Sequence, residues 1–335
     1  MGTMSIIEEK YLDKKMRVAL VQMTNKHTEI FGVFIEYLLY RNIEFKIYYN
    51  LEKDKYSFLP YYESIFGVKF EILPTEYLMN EIFDWYIFTS SQEDNRYPER
   101  FKHNFNHKSI FIHHLWKHQK NYMINSFKVS PVINLEVPYI LPVYLKYFKI
   151  HGNYKNNKLA LVGAIRNNMA DKDLNLLKEL FERDDDFEVY VFMRKWDWIG
   201  AKRRYKFLEN ERIKCFSGLE TEKMIEKLSE VKMIIPLCKY GGWFHKERLT
   251  GALPLALNLN IPLLMDKRFA KIYGIEGCGL CYEKSMLEVF DKFLSLEKND
   301  YYKYVSNIAK FRKEQFKKNK EELDRFLNVK VRYLF

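Results

Sequence analysis

Lys232-Met-Ile-Ile-Pro-Leu-Cys-Lys-Tyr-Gly-Gly-Trp-Phe-His-Lys-Glu-Arg-Leu-Thr-Gly-Ala-Leu-Pro-Leu-Ala-Leu-Asn-Leu-Asn-Ile-Pro-Leu-Leu-Met265 decides the fold class. It reads as an apolar strand, a polar loop with a charged cluster, a short small-residue helix with Pro254 in its first turn, and a second apolar strand. Such a loop falls at the carboxyl end of a parallel strand, where doubly wound sheets bind ligands. There Glu247 can accept hydrogen bonds from ribose hydroxyls. His245, Arg248 and the N–H groups around Thr250 and Gly251 can hold phosphates. A ligand needing both kinds of contact is a sugar nucleotide. Trp243 and Phe244 either stack on that ligand or plug the core beneath the loop.

Two further stretches open alike. Met16-Arg-Val-Ala-Leu-Val-Gln-Met23 is a near-continuous apolar run followed by a polar loop, a helical pattern through Phe31, Phe34, Ile35, Leu38 and Leu39, and the strand-like Glu44–Tyr49. Lys158-Leu-Ala-Leu-Val-Gly163 repeats the order, with a helix through Leu174, Leu177, Leu180 and Phe181 and the strand Phe187–Phe192. Buried parallel strands read as unbroken apolar runs because both their faces are covered. Strands are also expected over 70–73, 85–89, 109–113, 212–216 and 280–282, and helices over 224–228, 286–294 and 301–327. The chain therefore divides into a Rossmann-like domain over residues 4–150, a second over 157–300, and a terminal helix over 301–335. The polar run His151–Asn157 is the linker.

The chain has 335 residues, 47% hydrophobic and 17% aromatic, enough for two packed cores and incompatible with disorder. No apolar run reaches the roughly 18 residues of a membrane span, and no signal-peptide core precedes the first strand, so a cytoplasmic protein is expected. The net charge of +11 calls for an anionic partner: a nucleotide diphosphate, nucleic acid or a membrane surface. Cys278 and Cys281 lack the second ligand pair that a structural zinc needs, and read as buried thiols. Asp184-Asp185-Asp186 reads as a solvated turn, not a metal motif.

The order of parts resembles a GT-B glycosyltransferase: two Rossmann-like domains facing each other across a cleft, acceptor on the first and nucleotide-sugar on the second. Glu247 matches the first Glu of that family's Glu-x7-Glu pattern, and Ile261-Pro-Leu-Leu264 matches the strand after it. Position 255, where the pattern has its second Glu, is Leu, which counts against a retaining transfer. The resemblance implies diphosphate contacts from Gly163 and Arg166, with Arg194 or Lys195 on the next strand's loop. It also implies base contacts from the Ser217-Gly218 backbone. His27, in the loop after the first strand, is similar to the catalytic histidine of plant-type small-molecule members, and Glu29 is a second candidate base. Asp94 and His114 are candidate acceptor contacts, His114 within the cluster His113, His114 and His118.

The implied activity is hexosyl or related sugar transfer from a nucleotide-diphosphate sugar, used as co-substrate, to a hydroxyl of a glycan, glycolipid or glycoprotein. It would proceed with inversion, with no tightly bound cofactor and no metal. A DNA-modifying glycosyltransferase, or a nucleotide-binding protein of this fold without catalysis, are the alternatives. The family arrangement implies that the terminal helix packs back on the first domain; its basic stretch Lys310–Lys320 also suits peripheral contact with an anionic membrane.

Overall fold

The computed structural model describes residues 15–24, 27–50, 54, 56–90, 108–114, 126–146, 152–163, 165, 172–238, 241–246 and 248–327, with the backbone alone for Trp196, Trp243 and His245. Asp94, His118, Arg166 and Glu247, and the His245 side chain, lie outside the described residues.

The first lobe carries strands β1 (Arg17–Val21), β2 (Glu44–Tyr48), β3 (Ile72–Leu73), β4 (Trp85–Phe88), β5 (Ser109–His113) and β6 (Ser126–Lys128), with helices α1 (Phe31–Tyr40) and α2 (Leu59–Phe66). The second carries β7 (Lys158–Val162), β8 (Glu188–Met193), β9 (Ile213–Ser217), β10 (Met233–Ile235), β11 (Leu263–Asp266) and β12 (Gly279–Tyr282). Its helices are α3 (Leu174–Leu180), α4 (Lys195–Arg204), α5 (Thr221–Leu228), α6 (Trp243–Lys246), α7 (Ala252–Asn258), α8 (Lys267–Tyr273) and α9 (Leu287–Leu294). The long α10 (Lys298–Phe326) closes the described chain.

Each lobe holds one six-stranded sheet, ordered β3-β2-β1-β4-β5-β6 in the first and β9-β8-β7-β10-β11-β12 in the second. All strand pairs are parallel. Both sheets therefore have the doubly wound order, in which the chain reverses direction beside the first strand and opens a crevice at the carboxyl edge.

The apolar runs explain themselves. Val18 and Leu20 turn to the core shared with α1, while Ala19 and Val21 pack on Tyr48, Phe83 and Phe88 across the other face. In β7, Leu159 and Leu161 enter one core and Ala160 the other. Fully burying one such Leu or Val contributes about 1.5–3 kcal/mol.

Several elements differ from the sequence expectation. The strand expected over 70–73 shrinks to Ile72–Leu73, an edge with one neighbour. β6, only three residues long, extends the first sheet beyond the strands expected from pattern. Among its described side chains helix α4 buries only Ala201, so periodicity could not reveal it. Helices α2 and α8 were likewise absent from the pattern reading; both are short and end at a left-handed glycine, Gly67 and Gly274.

The lobes are joined by buried polar bonds. Asn258 accepts from Tyr144 N (3.1 Å) and donates to Pro142 O (2.9 Å). From α10, the buried Arg312 guanidinium donates to Tyr144 O (3.0 Å), Leu145 O (2.6 Å) and Asn260 Oδ1 (2.7 Å). Farther along the same helix, Asn319 donates to Leu141 O (2.7 Å), and Asp324 accepts from Tyr37 (2.9 Å) and pairs with Arg41. Among the described residues, no helix is long and apolar enough to cross a membrane.

Candidate active site

Between the lobes lies a cavity of about 490 Å³. The first lobe contributes His27, Glu29, Asp54, Tyr56, Tyr62 and Tyr144 to its wall. The second contributes Gly163, Arg194, Asp197, Gly218 and Gly251, over a floor of Val162, Phe192, Phe216, Leu219, Pro254 and Leu255.

His27 lies six residues after β1, where the 3-10 turn Thr28–Ile30 leads into α1. Its backbone is left-handed, φ 62° and ψ 29°, a conformation that costs a non-glycine residue about 1–2 kcal/mol. Packing holds it there. Tyr62 from α2 donates to Glu29 O (2.7 Å), and Thr28 Oγ1 accepts from Phe58 N (3.2 Å). The turn brings His27 Nδ1 to 3.3 Å from Glu29 Oε1. Burial pushes the Glu29 carboxyl up, but the hydrogen bond and charge of His27 outweigh it and hold the group below the ordinary carboxylate range.

Behind His27, the ring of His114 stacks at 4.2 Å between centroids, tilted 32°. His114 is buried, and its Nε2 lies 2.9 Å from Thr89 O; a carbonyl only accepts, so Nε2 carries the proton. Burial, then the neighbouring His27, pull the His114 pKa down to about 3, so this ring is neutral.

Across the cavity, the carboxyl ends of β7, β8 and β9 form a continuous edge. Gly163 N donates to Phe192 O (2.9 Å) and Gly218 N to Met193 O (3.1 Å). Both glycines have positive φ, 95° and 74°, and a Cβ on Gly163 would meet nothing within 4 Å. A ligand can therefore approach this backbone closely. Phe192 and Phe216 stack beneath it at 5.3 Å.

Other sequence candidates lie around this edge. Ser217 ends β9 one residue before Gly218. Lys195 is exposed on the first turn of α4, outside the wall, while Arg194 before it and Asp197 after it line the cavity. Gly251 lines the cavity with Thr250 buried behind it and Arg248 half-buried, both off the wall. His114 sits behind His27, not on the wall. Phe244 packs on the main core. None of the four cysteines forms a disulfide, and burial pushes the Cys278 thiol up to about 12 and the Cys281 thiol up to about 11.

Sequence reasoning overlooked Asp54, Tyr56 and Asp197 on the wall, and Lys172 beside it. Asp54 accepts from Tyr49 (2.5 Å) and from Tyr56 N (3.0 Å). The Lys172 ammonium is buried at the carboxyl edge, donating to Val162 O (3.0 Å) and Pro236 O (3.4 Å). Their signal was position: each falls shortly after a strand or at a helix start on the ligand-facing edge.

No known protein family and no curated protein matches the sequence. Solved structures match the fold. An α-glucosyltransferase in complex with UDP and a 13-mer DNA containing an HMU base superposes with a TM-score of 0.61 at 11% identity, covering 94% of this chain and 100% of that one. AviGT4, a glycosyltransferase involved in avilamycin A biosynthesis, gives 0.58 at 11% identity, over 94% and 99%. Anabaena HepE in complex with UDP and glucose gives 0.58 at 9% identity, over 94% and 100%. The chain has the GT-B fold. In GT-B terms, His27 and Glu29 stand on the first lobe's switch-point loop, and Gly163 stands on the second's.

Proposed function

We propose that this protein is a glycosyltransferase that moves a sugar from a nucleotide-diphosphate donor to an acceptor hydroxyl, the first lobe taking the acceptor and the second the donor. The observation that carries this reading is the His27–Glu29 pair facing the Gly163–Gly218 edge across one cavity. With Nδ1–H donating to the Glu29 carboxylate, Nε2 of His27 is the free base. It takes the acceptor's hydroxyl proton as that oxygen bonds to the anomeric carbon. The bond from that carbon to the diphosphate breaks on the opposite face, so the anomeric configuration inverts. Arg194, with Arg166 on the β7 loop, neutralises the charge left on the departing diphosphate.

A glycan, glycolipid or glycoprotein hydroxyl fits the open cavity. DNA is a second reading, favoured by the net charge of +11 and by the DNA-bound α-glucosyltransferase of the same fold. Thermal-shift measurements across UDP-, GDP-, dTDP- and CMP-sugars should show stabilisation by at least one. Anomer analysis of the product, by proton NMR, should then show inversion. No shift with any donor refutes the reading; retention of configuration removes His27 as base. Transfer to duplex DNA that falls steeply with added salt selects the second acceptor class.

A further inference from the structure

We infer that Asp197 holds the ribose diol of the donor nucleotide, so the site selects ribonucleoside diphosphates over their 2′-deoxy counterparts. This rests on the donor-site reading above. A ribose presents two hydroxyl donors and is recognised by an acceptor, which a carboxylate supplies best because both oxygens can engage the vicinal pair.

Three carboxylates line the wall among the described residues, Glu29, Asp54 and Asp197; Glu247, the ribose candidate from sequence, lies outside them, and discrimination that survives Asp197→Ala would point to it. Glu29 is engaged by His27. Asp54 is engaged by the Tyr49 hydroxyl and the Tyr56 N–H. Asp197 makes no hydrogen bond and no ion pair among the described residues, and faces the cavity from the first turn of α4. The second lobe's other uncharged polar side chains there are also committed: Thr221 donates to Tyr56 O (2.8 Å), and both ends of Asn258 are bound to the 142–144 backbone. Leu255 presents only carbon.

Position on the sheet agrees with this elimination. The edge runs β7, β8, β9, and hydrogen bonds tie the three ends together. Neighbouring strands are ~4.8 Å apart, so β7 to β9 spans about 10 Å. A nucleotide laid along it with its diphosphate at the open Gly163 backbone and its base against the Phe216–Leu219 corner places its ribose over β8. Asp197 follows β8.

The test measures binding of UDP and GDP, and of 2′-deoxy-UDP and 2′-deoxy-GDP, by isothermal titration calorimetry. Wild type, Asp197→Ala and Asp197→Asn are compared, each first shown to melt as wild type does without ligand. Wild type should bind the ribonucleotide about ten- to a hundredfold tighter than the deoxy form, the range of one charge-assisted hydrogen bond. Asp197→Ala should weaken the ribonucleotide more than the deoxy form, which loses only its 3′-hydroxyl contact, so that the two bind alike, and Asp197→Asn should fall between. Binding without sugar discrimination in wild type, or discrimination that survives in both variants, overturns the assignment to Asp197 while sparing the donor site. Failure of wild type to bind any of the four overturns the donor-site reading together with it.

Discussion

The two lobes share one sheet order and one crevice position, yet their first-strand loops are chemically opposite. After β1 the left-handed residue is His27, φ 62°; after β7 it is Gly163, φ 95°. The first loop tolerates backbone strain to keep an imidazole at the cavity wall. The second presents bare backbone. The surroundings follow suit: His27 is braced by Glu29, His114 and α2, whereas the space around a Cβ on Gly163 is empty. One fold thus supplies a fixed side chain on one side and room for a ligand on the other.

The sharpest way to break this contrast is to remove the side chain. His27→Ala should cut transfer by about 10²- to 10⁴-fold with donor binding unchanged, read as single-turnover rate against calorimetric affinity. If the variant keeps full activity, His27 is not the base.

Acid stability comes next. Below the ordinary histidine pKa of 6.5 the unfolded chain protonates His114, while the folded one resists until about 3. The unfolded state then binds the extra proton, so stability falls as pH drops through that window. Glu29 adds in the same direction: with its folded pKa lowered, its contribution is complete above the ordinary carboxylate range and lost as pH falls through the folded value. His114→Gln should flatten the wild-type loss between pH 6.5 and 3.5 by on the order of a few kcal/mol, read from urea midpoints. Curves that stay parallel would show His114 already protonated in the fold.

Smaller effects test the backbone half. Gly163→Ala imposes a positive φ on an alanine, costing about 1–2 kcal/mol of stability, and should weaken donor binding roughly tenfold. Conversely, His27→Gly relieves the strain and should raise stability by up to about 1 kcal/mol, while cutting transfer as far as His27→Ala does. Opposite signs of stability change at these matched positions would confirm that strain is stored on one lobe only.

The β-strand starts were legible because an apolar run such as Val18–Val21 or Leu159–Leu161 records burial on both faces. His27, Glu29, Gly163, Gly218 and Gly251 were legible as wall residues because each follows a strand at its carboxyl end or opens a helix there. Helix α4 was not legible, since among its described side chains it buries one alanine, which leaves no period. Nor was Asp197, a lone acid between Trp196 and Trp198 in a segment without helical periodicity. His114 read as a wall residue, and only its stack on His27 places it one layer behind.

By itself the chain determined two parallel sheets and the loops at their ligand-facing edges, because strand burial and turn chemistry are written in neighbouring residues. Only tertiary structure decided which loops face one another, that Asn258 meets the 142–144 backbone, and that Arg312 clamps both lobes. Except for Arg312–Asn260, 52 positions apart, those contacts join residues more than a hundred positions apart. Their energies depend on burial and geometry that no local pattern encodes.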